Sequence, residues 1–321
     1  MGRSREAGED EARTGVHVRL EDLIALQYKV KGYSFLPRQP VHSVLAGRHA
    51  SRMRGRGLNF EEIRGYLPGD DVRTIDWRVT ARTQKPHVRV YTEERDRPAL
   101  LLVDQRLSMF FGSRRAMKST VAAEVAALGA WRVFGQGDRV GALVFDDLDI
   151  EEIRPHRSRR TVMRILDVVV EKNRALRADS KARRQPAMLN RALEAAERLC
   201  SHDFVVAIVS DFDGLDDETE RLVTRLAHHN DVIAVPVWDP LATEVPAGGR
   251  VVVAEGELQV ELDLGTEQVR SRMLELADTR LSRVLRWTKE RGVPVLPLST
   301  AEDVPLQLQR LLGADPRPRR R

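Results

Sequence analysis

Along residues 98–313 short, continuous apolar runs alternate with stretches whose apolar residues recur at helical spacing. Ala99–Val103, Phe204–Ser210 and Val232–Trp238 are too short for helices and too uniformly apolar for half-exposed strands. They predict parallel strands buried on both faces. Met117, Val121, Val125 and Leu128 trace one helix face, with Ser113 upstream as the expected N-cap. Val162–Val170, Leu189–Leu199 and Glu267–Glu290 carry the same period, and Asp217 with Glu220 reads as a capping box for a helix through Leu222, Val223 and Leu226. Val140–Phe145 and Ile150–Ile153 bracket an acidic turn as a hairpin, and Val251–Leu264 reads as an added one. Val293–Leu298 predicts a last strand and Val304–Leu312 a closing helix. The alternation predicts an α/β fold: a doubly wound, mainly parallel sheet with helices on both faces.

Upstream, residues 18–97 have less rhythm. Leu20–Tyr28 has the spacing of a short amphipathic helix, Pro68-Gly69 marks a turn, and Val88, Val90 and Thr92 alternate as in a strand. A small β-rich N-terminal unit is expected over 18–97 and the main domain over 98–313. Residues 1–17 and the basic end, 314–321, are polar enough to predict disordered tails.

Composition adds exclusions. With 321 residues, 42% hydrophobic and 31% charged, the chain is long enough for a sizeable core. Its single cysteine, Cys200, allows no internal disulfide or cysteine-based zinc site and falls in the apolar rhythm of a helix. The first residues lack the apolar core of a signal peptide, and no run approaches the ~18 residues of a membrane span, so a cytoplasmic address is expected.

The net charge of +5 is unevenly carried. Arg48, Arg52, Arg54 and Arg56 lie among glycines in a basic loop suited to anions. No G-x-x-x-x-G-K-[ST] motif occurs and aromatic residues are only 5%, so an acidic protein surface is the preferred partner over nucleic acid. Arg64, Gly69, Asp70, Asp71, Arg73, Asp76 and Trp77 form a second cluster. Three carboxylates invite metal or acid–base chemistry. The preferred reading is architectural: Asp70 and Asp71 fix the turn, Arg73 pairs with an aspartate, and Trp77 anchors the small unit on the main domain. No H-E-x-x-H or G-x-S-x-G motif is present.

In open sheets ligands bind beyond the C-terminal ends of strands. Two predicted strands end there in acidic loops, one carrying Asp104, Arg106 and Ser108, the other Ser210, Asp211 and Asp213. Asp104-x-Arg106-x-Ser108 resembles the D-x-S-x-S metal loop of von Willebrand factor A domains, and Ser210-Asp211 resembles their third metal loop. RGYLPGDDVRTIDW, residues 64–77, within GRGLNFEEIRGYLPGDDVRTIDWRVTARTQKPHVRVYTEE, is similar to the stretch preceding such a domain in the bacterial domain-of-unknown-function fifty-eight family. The resemblance covers roughly residues 40–300. It implies a Rossmann-type, von Willebrand factor A-like domain, no enzymatic activity, and association with MoxR-type AAA+ ATPases.

The departures bear on the metal. Arg106 stands at the first serine position, and Pro186 and Ala187 stand where the resemblance implies a threonine ligand. Magnesium requires near-octahedral oxygen ligation, so no cofactor is expected and bound magnesium is disfavoured. Arg106 is expected to put its guanidinium in the cation's place, paired with Asp104 and Asp211; an outward-pointing Arg106 or a retained metal are the other arrangements the residues allow. The expected function is that of an adaptor whose exposed surface around Asp104, Arg106 and Ser108 meets its partner. The alternatives are a metal-dependent phosphoesterase using Asp104, Asp211 and Asp213, or a nucleic-acid binder using Arg48–Arg56.

Overall fold

A computed structural model describes residues 15–30, 58–93, 97–177, 183–242, 250–255, 258–263 and 280–312. The chain divides into two units, Arg38–Asp96 and the remainder, Met1–Pro37 with Arg97–Arg321. The predicted helix at 20–28 is α1 (Leu20–Ala25) continued by a 3-10 turn, Leu26–Tyr28. It belongs to the larger unit, a correction to the expected boundary at 18. The reason is apolar: Leu23 and Leu26 join the core of the larger unit, and the Leu23 carbonyl accepts from Trp131 Nε1. Residues 15–17 are also engaged rather than tail-like: the Gly15 carbonyl accepts from Met117 N, and His17 Nδ1 lies 3.0 Å from the Asn173 carbonyl. Residues 1–14, the basic loop Arg48–Arg56 and the end, 313–321, lie outside the described residues.

In the smaller unit β1 (Leu58–Gly65) pairs antiparallel with β2 (His87–Glu93), and α2 (Trp77–Thr83) lies between them in sequence. The acidic cluster is consumed by local architecture. Asp70 accepts two 2.8 Å bonds from Arg64 and one from Leu67 N, closing the turn at Gly69, whose φ of 108° suits glycine. Asp71 accepts from Arg73 N, and Asp76 caps α2 through Arg78 N and Val79 N while pairing with Arg89. One expectation is corrected: Arg64 and Arg89, not Arg73, are the arginine partners of the aspartates. The Trp77 side chain is largely exposed.

The larger unit is built on six strands in the order β10-β7-β6-β3-β4-β5. They are β3 (Ala99–Asp104), β4 (Val140–Phe145), β5 (Ile150–His156), β6 (Val205–Ser210), β7 (Asp231–Trp238) and β10 (Leu298–Ser299), and only β5 runs antiparallel to its neighbour. Alternation of side chains divides β3 between two cores. Leu101 and Val103 face one cluster with α3 (Lys118–Gly135), α4 (Arg159–Ala175) and α8 (Val304–Leu311); Leu100 and Leu102 face another with α5 (Met188–Leu199), α6 (Asp217–His229) and α7, helical over 280–290. A continuous apolar run is therefore what a strand covered on both faces requires. Cys200 is buried in the second cluster, as the helical rhythm suggested.

Several boundaries differ from the sequence reading. Helix α3 starts at Lys118 behind Met117, while Ser113 gives both its N–H and its Oγ to Asp239. The capping box of α6 is Asp216 with Thr219, one residue ahead of the expected pair. Only Leu298–Ser299 and a single bridge from Val295 to Ala234 represent the strand predicted at 293–298. The added hairpin is present as a separate two-stranded sheet, β8 (Arg250–Glu255) with β9 (Leu258–Asp263). Of the helix predicted over 267–290, residues 280–290 are described and helical.

Candidate functional site

The chain leaves β3 for β4 on one side, and β6 lies on the other, so the strand order reverses between β3 and β6. That reversal opens a crevice at the C-terminal strand ends, the usual ligand position in such sheets. Asp104 ends β3 and Ser210 ends β6, and their loops meet over the crevice.

Arg106 fills it. Its side chain is only 1% exposed and lies against Asp104, which is fully buried. Nη2 donates to Asp104 Oδ2 at 2.7 Å, and Nε lies 3.0 and 3.1 Å from the two carboxylate oxygens. The Arg106 backbone N–H and Ser210 Oγ complete the set around Asp104, at 2.9 and 2.6 Å. Nη1 of Arg106 donates to the carbonyls of Asp213 and Pro186, and the guanidinium carbon sits 5.5 Å from the centre of the Phe145 ring. A planar fork with fixed donors matches a carboxylate flanked by carbonyls.

Asp211, the second acidic tip, is 3.9 Å from Arg106 Nη2, so its contact with that cation is coulombic rather than hydrogen-bonded. Its close cation is Lys118 at the start of α3, with Nζ 2.5 Å from Oδ2. Ser108 Oγ and Asp213 N occupy Oδ1. Asp213 turns its carboxylate away, to Arg280 of α7 at 2.6 Å. Three carboxylates thus meet three cations, and both oxygens of Asp104 and of Asp211 are engaged.

The electrostatics follow from that pairing. Burial opposes the charge of both Arg106 and Asp211. Asp104 nevertheless holds the guanidinium proton more tightly than usual, and Lys118, Arg106 and Arg280 together hold the Asp211 carboxyl well below the ordinary carboxylate range. Burial pushes the Asp104 carboxyl up against the pull of Arg106 and Ser210. Among the described residues no group of three or more His, Cys, Asp and Glu has the geometry to hold a metal. The residues of the crevice do not fit a divalent cation: Arg106 stands at one ligand position, Pro186 contributes only its carbonyl, and that carbonyl is already bonded to Arg106.

The covering loops are held by specific backbone features. Asp147, in the turn between β4 and β5, accepts from Leu107 N at 2.6 Å and from Gln185 N at 2.7 Å, joining two loops far apart in sequence. Gly214, at φ 87°, lies so close to Pro186 that an added Cβ would meet its carbonyl oxygen at 2.5 Å. Phe212 is also left-handed, at φ 55°, and is held by an edge-to-face contact with Trp287.

The structure therefore brings together Asp104, Arg106, Ser108 and Asp211 as expected from their strand-tip positions, but as buried residues. The exposed contact surface expected around Asp104, Arg106 and Ser108 is corrected: the loops of Pro186 and Asp213 cover them. Sequence reasoning missed Lys118, Arg280 and Asp147 as members of the cluster. Only Lys118 carried a signal, as a cation at a helix start where the dipole disfavours one.

The family described as Protein of unknown function DUF58 matches residues 62–282. Uncharacterized proteins of Mycobacterium tuberculosis (Rv1480) and Mycobacterium bovis (Mb1516) are each 31% identical to the chain over 270 residues, covering 83% of it and 82% of their own length. A crystal structure of the conserved hypothetical protein BatB from Bacteroides thetaiotaomicron is similar with a TM-score of 0.40 at 10% identity, over 68% of this chain and 99% of that one.

Proposed function

The chain belongs to the DUF58 family, and from that premise we propose that it is a non-enzymatic interaction protein, a von Willebrand factor A-like adaptor serving a MoxR-type AAA+ ATPase in the cytoplasm. The observation that carries the reading is the bidentate pair of Arg106 with Asp104. In a metal-dependent domain of this type a divalent cation would join the loop after the first strand to the loop after the fourth. Here Arg106 and Lys118 supply the two positive charges from within the chain. On this reading the two loops are joined by side chains of the chain itself, in the position a dissociable ion would take. A phosphoesterase is disfavoured on the same ground, since Asp104, Asp211 and Asp213 are each paired with a basic side chain. Among the described residues no helix is long and apolar enough to cross a membrane.

The contact surface of this reading is the outer face of the covering loops. Leu148, 79% exposed at the turn that also carries Asp147, is its clearest apolar member. The test is a binding titration of the full chain with each MoxR-type ATPase of the source organism, with Leu148→Asp alongside. A complex weakened about tenfold or more by Leu148→Asp, ~1.4 kcal/mol, is the expected result. Absence of any complex at high micromolar concentration would refute the ATPase partnership. Clear magnesium binding by the wild-type chain at millimolar concentration would refute the internal-cation reading.

A further inference from the structure

Among its described side chains the smaller unit buries little. Between residues 63 and 89, where its side chains are described, only Val88 and Asp76 are fully buried. The same segment holds four of the nine large apolar side chains that stand exposed among the described residues: Ile63, Leu67, Val72 and Trp77. A two-stranded hairpin with one short helix is marginal in water, and apolar side chains left out of a core usually have another cover.

Leu67, Val72 and Trp77 are 59%, 60% and 70% exposed and lie within eleven residues of chain. That stretch is held rigidly. Asp70 closes its turn, Asp71 caps the 3-10 turn Val72–Thr74, the Ile75–Val88 bridge ties it to β2, and Asp76 caps α2 at Trp77. The carboxylates serve to order the backbone that carries three exposed apolar side chains. Pre-ordering of this kind lowers the entropic cost of binding.

Charge identifies the partner. Residues 38–96 contain twelve arginines and lysines against eight aspartates and glutamates, so this short segment carries most of the net charge of +5. Arg64 and Arg89 are neutralised by Asp70 and Asp76. Arg73, Arg78, Arg82 and Lys85 are exposed in or next to the same stretch of chain, with no ion pair to a described residue. A second copy of the chain would bring like charge to like. An interfacial membrane helix needs one continuous apolar face, whereas Leu67, Val72 and Trp77 lie in a turn, a 3-10 turn and the start of a seven-residue helix. Tryptophan and arginine beside isolated aliphatic anchors, within a polar rim, are the composition of a protein–protein hot spot.

We propose that residues 67–82 of the smaller unit form a docking surface for an acidic protein segment that places apolar side chains on Leu67, Val72 and Trp77 and carboxylates on Arg73, Arg78 and Arg82. The proposal rests on the reading of the chain as an interaction protein, but not on an AAA+ ATPase as the partner, nor on the crevice of the larger unit.

The test is site-specific photo-crosslinking of the full chain in lysate of the source organism, with the photoreactive residue at Val72 or Trp77 and, as an exposed control, at His202. The expected result is crosslinking from both positions, and not from the control, into one protein segment rich in aspartate or glutamate interspersed with apolar residues. A synthetic peptide of that segment should then bind the full chain. Arg73→Glu with Arg78→Glu, or Trp77→Ser, should weaken it at least tenfold without shifting the melting temperature of the larger unit. Crosslinks into lipid, nucleic acid, a second copy or the chain's own larger unit would overturn the proposal, as would yields equal to the control. Crosslinking to an acidic segment of another protein, with no ATPase binding, would leave this surface standing and the ATPase partnership refuted.

Discussion

Replacing Arg106 by methionine removes the cation of the crevice while keeping most of its volume. Asp104, fully buried, would lose three side-chain contacts of 2.7–3.1 Å and keep only Ser210 Oγ and a backbone N–H. Breaking a buried pair from one side leaves an uncompensated charge and costs about 3–5 kcal/mol. The carbonyls of Asp213 and Pro186 lose their donor as well, so the upper end of that range applies. For a domain of this size the expected fall in melting temperature is about 10 °C or more. Asp104→Asn combined with Arg106→Met removes the orphan charge, and the double variant should regain about half the loss. The assay is a double-mutant cycle by urea denaturation, whose coupling energy isolates the pair. A loss below ~1 kcal/mol for Arg106→Met, or a coupling near zero, would refute the idea that the buried Arg106–Asp104 pair stabilises the crevice.

Three further outcomes are expected. Gly214→Ala should cost about 2–4 kcal/mol, since it adds backbone strain to a collision with Pro186; Gly137→Ala, with a similar φ of 84° but open space around it, should cost only about 1 kcal/mol in the same denaturation experiment. Burial pushes the Cys200 thiol from its usual 9.0 up to about 12, so it should resist thiol reagents until the chain unfolds. Above pH 9.0 the unfolded chain then releases a proton that the folded chain keeps, so stability falls as pH rises, at up to ~1.4 kcal/mol per pH unit, and Cys200→Val should flatten that slope. Asp216→Ala should cost about 1 kcal/mol through the lost cap of α6. Because the Thr219 N–H holds the Asp216 carboxyl below its ordinary range, the difference from wild type should be full near neutrality and shrink as acid protonates the cap.

What was legible in the sequence was what local periodicity encodes. The runs at β3, β6 and β7 announced doubly covered strands, and their acidic ends announced the crevice. The failures are contacts that cross long stretches of chain. Ser113 has the chemistry of an N-cap, but Asp239, 126 residues away, claims both its donors, and α3 begins without a side-chain cap. Leu20–Tyr28 looked like part of its sequence neighbourhood, yet its apolar face is drawn to Trp131 in the larger core. Arg280 reaches Asp213 from a helix 67 residues later. Arg106 itself was legible because a resemblance supplied the position it departs from. That it would be sealed beneath Pro186 and Asp213 was not, because the seal depends on the left-handed backbone at Phe212 and Gly214.

Asp147 makes the opening of the crevice a collective event. Its two oxygens hold one amide from the loop after β3 and one from the segment leading into α5. The Leu107 bond is half-buried and the Gln185 bond exposed, so one carboxylate links a covered amide to one at the surface. In native-state hydrogen exchange, replacing Asp147 by alanine should therefore speed the amides of both Leu107 and Gln185, though 78 residues of chain separate them. Asparagine at 147 keeps one acceptor oxygen instead of two, so it would hold one of these segments and let the other go.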